Sequence, residues 1–186
     1  TQLKDITFNK VKFIKENVFA ETTTLETIGL PANIEEIHDN SFQNSNVSKV
    51  SFEGLTEPRI CSNISFDNDF EEVMVPKEYQ GSDFCGKKPS YMGICGEGCS
   101  FKYYHDEAYL EIIGGIMNKT WETTDIVVWK EHIDHMKKVT ITGTQNVGQN
   151  ALKGAVNLID IKIDPTLKEI ENNAFEGCAG LQSIDL

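Results

Sequence analysis

Six runs of the form hydrophobic-x-x-hydrophobic-x-hydrophobic, in two groups with a period of 22 or 23 residues, constrain this chain more than any other feature. The first group is Leu3, Ile6, Phe8; Leu25, Ile28, Leu30; and Val47, Val50, Phe52. The second is Met136, Val139, Ile141; Leu158, Ile161, Ile163; and Leu181, Ile184, Leu186. A fixed period of this length marks a solenoid, because one unit is too small to bury its own apolar side and stacked neighbours must bury it together. The expected fold is a β-rich repeat solenoid in two short arrays.

The repeat extends beyond its opening run. After Ile163 come Asp164-Pro165, then Leu167, Ile170, Ala174-Phe175 and Cys178, and the same slots in an earlier unit hold Pro31, Ile34, Ile37, Ser41-Phe42 and Ser45. Two units are one residue tighter, with Val11, Ile14, Val18-Phe19 and Thr22 in one and Thr144, Val147, Ala151-Leu152 and Ala155 in the other. This reads as a short strand, a turn, a return leg with two spaced apolar residues, and a bulky anchor. The anchors Phe19, Phe42, Leu152 and Phe175 are expected to stack as a spine. The slot three residues later holds only small side chains, as tight packing requires.

Between the arrays the pattern breaks. Register is expected to be lost after Phe52, through Glu57-Pro58 and an acidic stretch at Asp67, Asp69, Glu71 and Glu72. One more strand fits Phe70, Val73 and Val75, and Tyr79 to Gly86 reads as a closing segment. A stretch rich in Gly, Pro and Cys follows, then two β-like runs around His105-Asp106-Glu107 that predict a hairpin ended by Gly114-Gly115. The domains expected are residues 1–86, the first array with its closing segment; 87–135, a linker and β-hairpin cap; and 136–186, a second array cut short at its C-terminal end.

Several features of this pattern resemble the BspA-like type of leucine-rich repeat, whose members occur on bacterial surfaces and in parasitic protists. The Pro after the strand, the Ala-Phe pair and the small residue or Cys three positions on carry the likeness. So do Cys95-Gly96, Phe101, the Leu110, Ile112, Gly114, Met117 run, and Trp129 ahead of Ile133, Val139 and Ile141. Gly115-Ile116 and Leu152 depart from it at one turn and one spine position. The resemblance implies a fragment of a longer surface protein that binds or adheres to a partner, with host cells and extracellular matrix as the expected kinds.

Composition fits a folded extracellular chain. Of the residues, 39% are hydrophobic and 25% charged, which is enough to build a core. The formal net charge is -12, so phosphate backbones and anionic lipid surfaces are repelled and nucleic acid is not an expected partner. No apolar run approaches the roughly 18 residues that span a bilayer, so no membrane insertion is expected within the fragment. Any signal or anchor is expected to lie outside it.

Five cysteines are present. Cys178 fills the small-residue slot and reads as a buried structural thiol. Cys61, Cys85, Cys95 and Cys99 cluster between the arrays, where two disulfides would staple a region with little core of its own. Their three possible connectivities stay open. Zinc held by Cys85, Cys95, Cys99 and His105 is the alternative, disfavoured because paired Cys-x-x-Cys knuckles are missing. Asn-x-Ser/Thr triplets at Asn46, Asn63 and Asn118 are candidate N-glycosylation sites, and with the cysteines they favour the cell surface or secretion.

No catalytic constellation is visible and no cofactor is expected. His132 and His135 stand three apart without a third ligand, and neither a Gly-x-Ser-x-Gly elbow nor a phosphate-cradling loop occurs. Function is therefore expected on surfaces. Strand residues between the buried positions project to the other side of the sheet. The candidate binding face is Asp5, Thr7, Thr27, Lys49, Ser51 and Glu72 in the first array, with Gly29 and Met74 in the same rows. In the second it is Lys138, Thr140, Asp160 and Lys162, continued by Ser183 and Asp185. This row is polar, mixed in charge and free of aromatics. The aromatics Tyr79, Phe84, Tyr91, Phe101, Tyr103, Tyr104, Tyr109 and Trp121 gather instead between the arrays, where they are expected to replace missing core. An intracellular scaffold for protein partners is the alternative reading. The terminal strand at Leu186 is expected to offer an open edge for self-association.

Overall fold

A computed structural model describes residues 3–61, 72–119, 121, 127–182 and 184. The chain divides into two compact units, residues 1–91 and 92–186. In the first, four strands lie side by side and parallel in the order β1 (Asp5–Thr7), β3 (Thr27–Leu30), β5 (Lys49–Phe52) and β6 (Glu72–Pro76). Their register is the sequence period itself. Ile6, Ile28, Val50 and Val73 form one cross-strand row, and Asp5, Thr27, Lys49 and Glu72 the row beside it. Burial separates the two rows, since Ile28, Val50 and Val73 are all within 3% of complete burial while Asp5 and Lys49 are exposed. Each such apolar side chain contributes about 1.5–3 kcal/mol, which no unit realises without its neighbour.

The return legs make a second ladder. β2 (Phe13–Ile14) pairs parallel with β4 (Glu36–Ile37), and Glu36 bridges on to Ile60. The ladder therefore continues past Phe52, but not at the repeat period. Ile60 stands beside Glu36, which is paired with Phe13, and its carbonyl accepts the Ile37 N–H at 2.7 Å, so the buried Cys61 follows in the slot of Ile14 and Ile37. The stretch holding Glu57-Pro58 lengthens the step beyond the 22- or 23-residue period, in keeping with the expected slip of register, without ending the ladder. The anchors stack as expected, with Phe19 and Phe42 at 5.4 Å and 5° and Phe8 against Phe19 at 5.8 Å. Tyr79 and Phe84 then close the unit, packing on Phe52 at 6.2 and 4.9 Å.

A turn signal recurs that composition alone does not reveal. Asn17, Asn40, Asn150 and Asn173 all adopt left-handed φ, between 57° and 62°, two residues before each anchor. Four residues further on, Glu21, Asn44, Gly154 and Gly177 do so again. Each of these four repeats thus sets its anchor between two left-handed positions, just after the return leg. Asn and Gly reach that region at low cost, which is why they fill all but one of the slots.

The second unit contains most of β7 (Ser90–Glu97), then β8 (Cys99–Tyr104), β9 (Tyr109–Ile113), β10 (Ile116–Met117), β11 (Lys138–Thr142), β12 (Asn146–Val147), β13 (Asp160–Ile163) and β14 (Glu169–Ile170). The main order is β7-β8-β9-β11-β13, with β10 antiparallel to β7. The hairpin β8–β9 is antiparallel, whereas β9–β11 and β11–β13 are parallel. β9 therefore stands in register as a rung ahead of the array, Leu110 beside Val139 and Ile112 beside Ile141. A helical turn at Lys130–His132 brings Trp129 beneath it. Trp129 is fully buried, meets Phe101 and Trp121 edge-on at 5.4 and 5.2 Å, and donates its indole N–H to the Ala151 carbonyl at 2.7 Å. Asn146 completes the cap, accepting the Met117 N–H at 2.9 Å and donating to the Met117 carbonyl at 3.0 Å. Among the described residues no helix is long and apolar enough to cross a membrane.

Candidate functional site

The outward rows of each unit are assembled by the strand register. In the first unit Asp5, Thr27, Lys49 and Glu72 align, and Thr7, Gly29, Ser51 and Met74 align beside them. Not all of this is surface. Met74 is 5% exposed and Gly29 is buried, with the Thr7 side chain leaning where a Cβ would sit. The exposed part reduces to Asp5, Thr7 and Lys49, with Thr27, Ser51 and Glu72 half-buried.

In the second unit the register extends the face through the hairpin. Lys138 lies between Tyr109 and Asp160, and Thr140 between Glu111 and Lys162. Across β8 these rows continue to Tyr104 and Lys102. The face is thus not free of aromatics as the sequence rows suggest, because the hairpin's place in the sheet cannot be read from the repeat period. Tyr104 and Tyr109 stack at 5.2 Å, the Lys138 ammonium sits 4.8 Å from the Tyr109 ring, and the Tyr104 hydroxyl donates to Glu111 at 3.1 Å. The other hairpin and junction aromatics serve the core: Tyr79, Phe84, Phe101, Tyr103 and Trp121 are buried, and Tyr91 packs half-buried against the first unit's core. The Tyr79 phenol, buried beside Glu57, is pushed up to about 12. Ser183 and Asp185 lie outside the described residues.

The cysteines pair as Cys61–Cys85 and Cys95–Cys99, with Cα atoms 5.1 Å apart in each. These pairings remove the thiolates that the zinc alternative with His105 would need. Cys95 and Cys99 are completely buried, flanking the turn from β7 to β8. Gly96 fits there because a Cβ would fall 2.1 Å from the Ile116 carbonyl oxygen. Cys61–Cys85 is different in setting. Cys61 is 5% exposed, Cys85 is half-buried, and both line an open cavity of about 250 Å³ with Glu57, Pro58, Arg59 and Gly86. Cys85 itself has φ 50°, which turns its N–H onto the Glu57 carboxylate at 2.6 Å. Cys178, the free thiol, is half-buried where the repeat slot predicts full burial; it donates to the Leu152 carbonyl at 3.1 Å, and partial burial pushes its pKa up.

The remaining candidates separate clearly. Asn46 is exposed, yet its amide donates to the Thr23 carbonyl, as Asn157 donates to Asp134 at 2.6 Å one unit from the chain's other array start. That side chain is a tie between rungs. Asn118 is exposed after β10, and Asn63 lies outside the described residues, as does the acidic stretch Asp67, Asp69 and Glu71. His132 stacks flat on Tyr103 at 4.2 Å and is pushed down to about 4, by burial first and then by His105 and His135. It is a packing group. The sequence reading missed one polar cluster: Glu36, 8% exposed, meets His38 at 2.8 Å, Lys15 at 3.3 Å and the Arg59 guanidinium. The hydrogen bond from His38 leads in holding its carboxyl below the usual range. Among the described residues, Glu57, Cys61 and Cys85 are the one group whose potential metal-ligating atoms all lie within 4.8 Å of one another.

A family model described as a BspA type leucine rich repeat region matches in 6 copies across residues 1–80 and 131–186, leaving out the hairpin between. Among solved structures, a leucine-rich repeat protein from Bacteroides ovatus ATCC 8483 is 20% identical, with a TM-score of 0.31 over 99% of this chain. This chain spans 37% of that protein's length. No curated protein sequence matches it.

Proposed function

The chain belongs to the BspA-type leucine-rich repeat family, and we propose that it is the extracellular binding module of a cell-surface or secreted adhesion protein. A repeat family of this kind supports a protein-interaction module, typically a scaffold without catalytic chemistry. The observation that carries the extracellular reading is the pair of disulfides, since such bonds persist in oxidising compartments and are rare in the cytosol. Binding is assigned to the outward sheet rows. In the second unit Tyr104, Tyr109, Lys138, Thr140, Asp160 and Lys162 form one surface, on which the two tyrosines are the residue type enriched at protein interfaces and the charged side chains around them suit a polar rim. In the first unit Asp5, Thr7, Thr27, Lys49, Ser51 and Glu72 take the same role with smaller side chains. Asn118 and Asn63 are the proposed glycan acceptors, in preference to the rung-tied Asn46.

The proposal is tested by binding the intact chain to coated matrix proteins and host-cell monolayers, alongside the Asp160→Lys, Lys162→Glu double variant. Saturable binding that falls tenfold or more in a variant with unchanged circular dichroism is the expected result. Absence of binding on every surface, or binding indifferent to the variant, would overturn the reading of this face. The compartment is tested separately by alkylating protein drawn from its native source. One reactive thiol per chain, Cys178, is expected; labelling of all five cysteines would contradict an oxidising location.

A further inference from the structure

We propose that Glu57, Cys61 and Cys85 form a redox-gated site for a borderline-soft divalent cation of the zinc class, closed while the disulfide is intact and opened by its reduction. The two disulfides differ in access. Cys95 and Cys99 are wholly buried, so no reductant reaches either sulfur without unfolding the hairpin. Cys85 forms part of the wall of the open 250 Å³ cavity, so a thiolate or phosphine can approach its sulfur in the folded protein. Attack there breaks the S–S bond, and the Cys61 sulfur departs as a thiolate. With a trialkylphosphine the phosphorus supplies the electron pair, and water then releases the Cys85 thiol and the phosphine oxide.

The donor set left behind suits zinc. Two thiolates and one carboxylate are ligands of the type zinc selects, and three protein ligands leave a fourth position for water from the cavity. The backbone already holds the cysteines with Cα atoms 5.1 Å apart. Glu57 is preorganised as well, because one carboxylate oxygen accepts the Cys85 N–H at 2.6 Å and lies 3.3 Å from Cys61 Sγ. Fixing a ligating carboxylate by a hydrogen bond of this kind is what metal sites use to orient their ligands. Metal uptake displaces the two thiol protons and restores a cross-link over the 24-residue separation that reduction had opened. The site lies within the first unit and does not depend on the adhesion reading.

The test uses the full chain in a Cys178→Ala background, reduced by a water-soluble phosphine, which competes weakly for zinc. Thiol counting should show two free thiols, with Cys95–Cys99 retained. A chromophoric chelator should then report one zinc per reduced chain and none per oxidised chain. Glu57→Gln, which keeps both cysteines, should weaken zinc binding about tenfold or more. Zinc should also return the first unit's thermal midpoint toward its oxidised value. Stoichiometric zinc that survives in a Cys61→Ser, Cys85→Ser double variant would overturn the proposal. So would its absence from the reduced wild-type chain, or an affinity unchanged in Glu57→Gln.

Discussion

The stability of the second unit should fall between pH 7 and pH 5 through one imidazole. His132 lies flat on Tyr103 at 4.2 Å, with His105 and His135 as its neighbours, and its pKa is lowered from 6.5 to about 4. Burial is the main cause, and it penalises the charged form. A group whose pKa is lower in the folded state contributes stability above its unfolded value and loses it as pH falls toward the folded one. Here the window runs from about 6.5 down to about 4. Across the whole window the loss is at most about 3 kcal/mol, taking roughly 1.4 kcal/mol per unit. By pH 5 about 2 kcal/mol of it is spent, against a few tenths at pH 7. His132→Phe preserves the flat ring on Tyr103 and removes the titration. The assay is urea unfolding followed by tryptophan fluorescence. Trp121 and Trp129, the chain's two tryptophans, both lie in the second unit and are buried there, so they report that unit alone. Acid titration of Glu36 in the first unit, whose carboxyl is held low by His38, is not seen by these reporters. The wild type should lose about 2 kcal/mol more than His132→Phe between pH 7 and pH 5. Equal pH dependence in the two proteins would refute the assignment of this shift to His132.

Two further substitutions probe the repeat itself. Glu21 is the one second-turn position held left-handed, at φ 60°, by neither Gly nor Asn, so Glu21→Gly should stabilise the chain by about 1 kcal/mol, read from the urea midpoint of its circular dichroism. A lower midpoint would show that the strain is not there. Asn146→Ala strips both hydrogen-bond partners from the buried Met117 peptide and should cost about 3 kcal/mol of second-unit stability by the same fluorescence measurement, where a cost under about 1 kcal/mol would refute the cap.

The array geometry was legible because its information is local and repeated. Leu25, Ile28 and Leu30 place a strand, and Val47, Val50 and Phe52 in the same slots 22 residues later place its neighbour in register. The spine at Phe19 and Phe42 follows from the same spacing. What escaped was whatever the period does not encode. The return-leg ladder continues past Glu57-Pro58 with Ile60 beside Glu36, a longer step than the period, so spacing alone could not place Cys61 in the buried slot of Ile14 and Ile37. Met74 alternates outward on its strand but is covered, which alternation cannot foresee. The left-handed Asn positions were present in the sequence at a constant two residues before each anchor, and that offset is the signal that could have found them.

The hairpin shows most sharply why period and surface must be read separately. Tyr109 and Tyr104 have no counterpart among the repeat's outward slots, yet β9 pairs with β11 along its whole length and carries them into the row of Lys138 and Asp160. A family model built on the repeat passes over this segment, matching up to residue 80 and again from 131. The repeats supply a common scaffold, whereas the largest side chains on the second unit's face come from the part that does not repeat. Selectivity for a partner should therefore reside more in β8 and β9 than in β11 and β13, because aromatic anchors dominate interface energetics and flanking polar contacts add little individually. The same segment also holds the fully buried disulfide, so the element that presents the aromatics is the one the chain has made hardest to reduce.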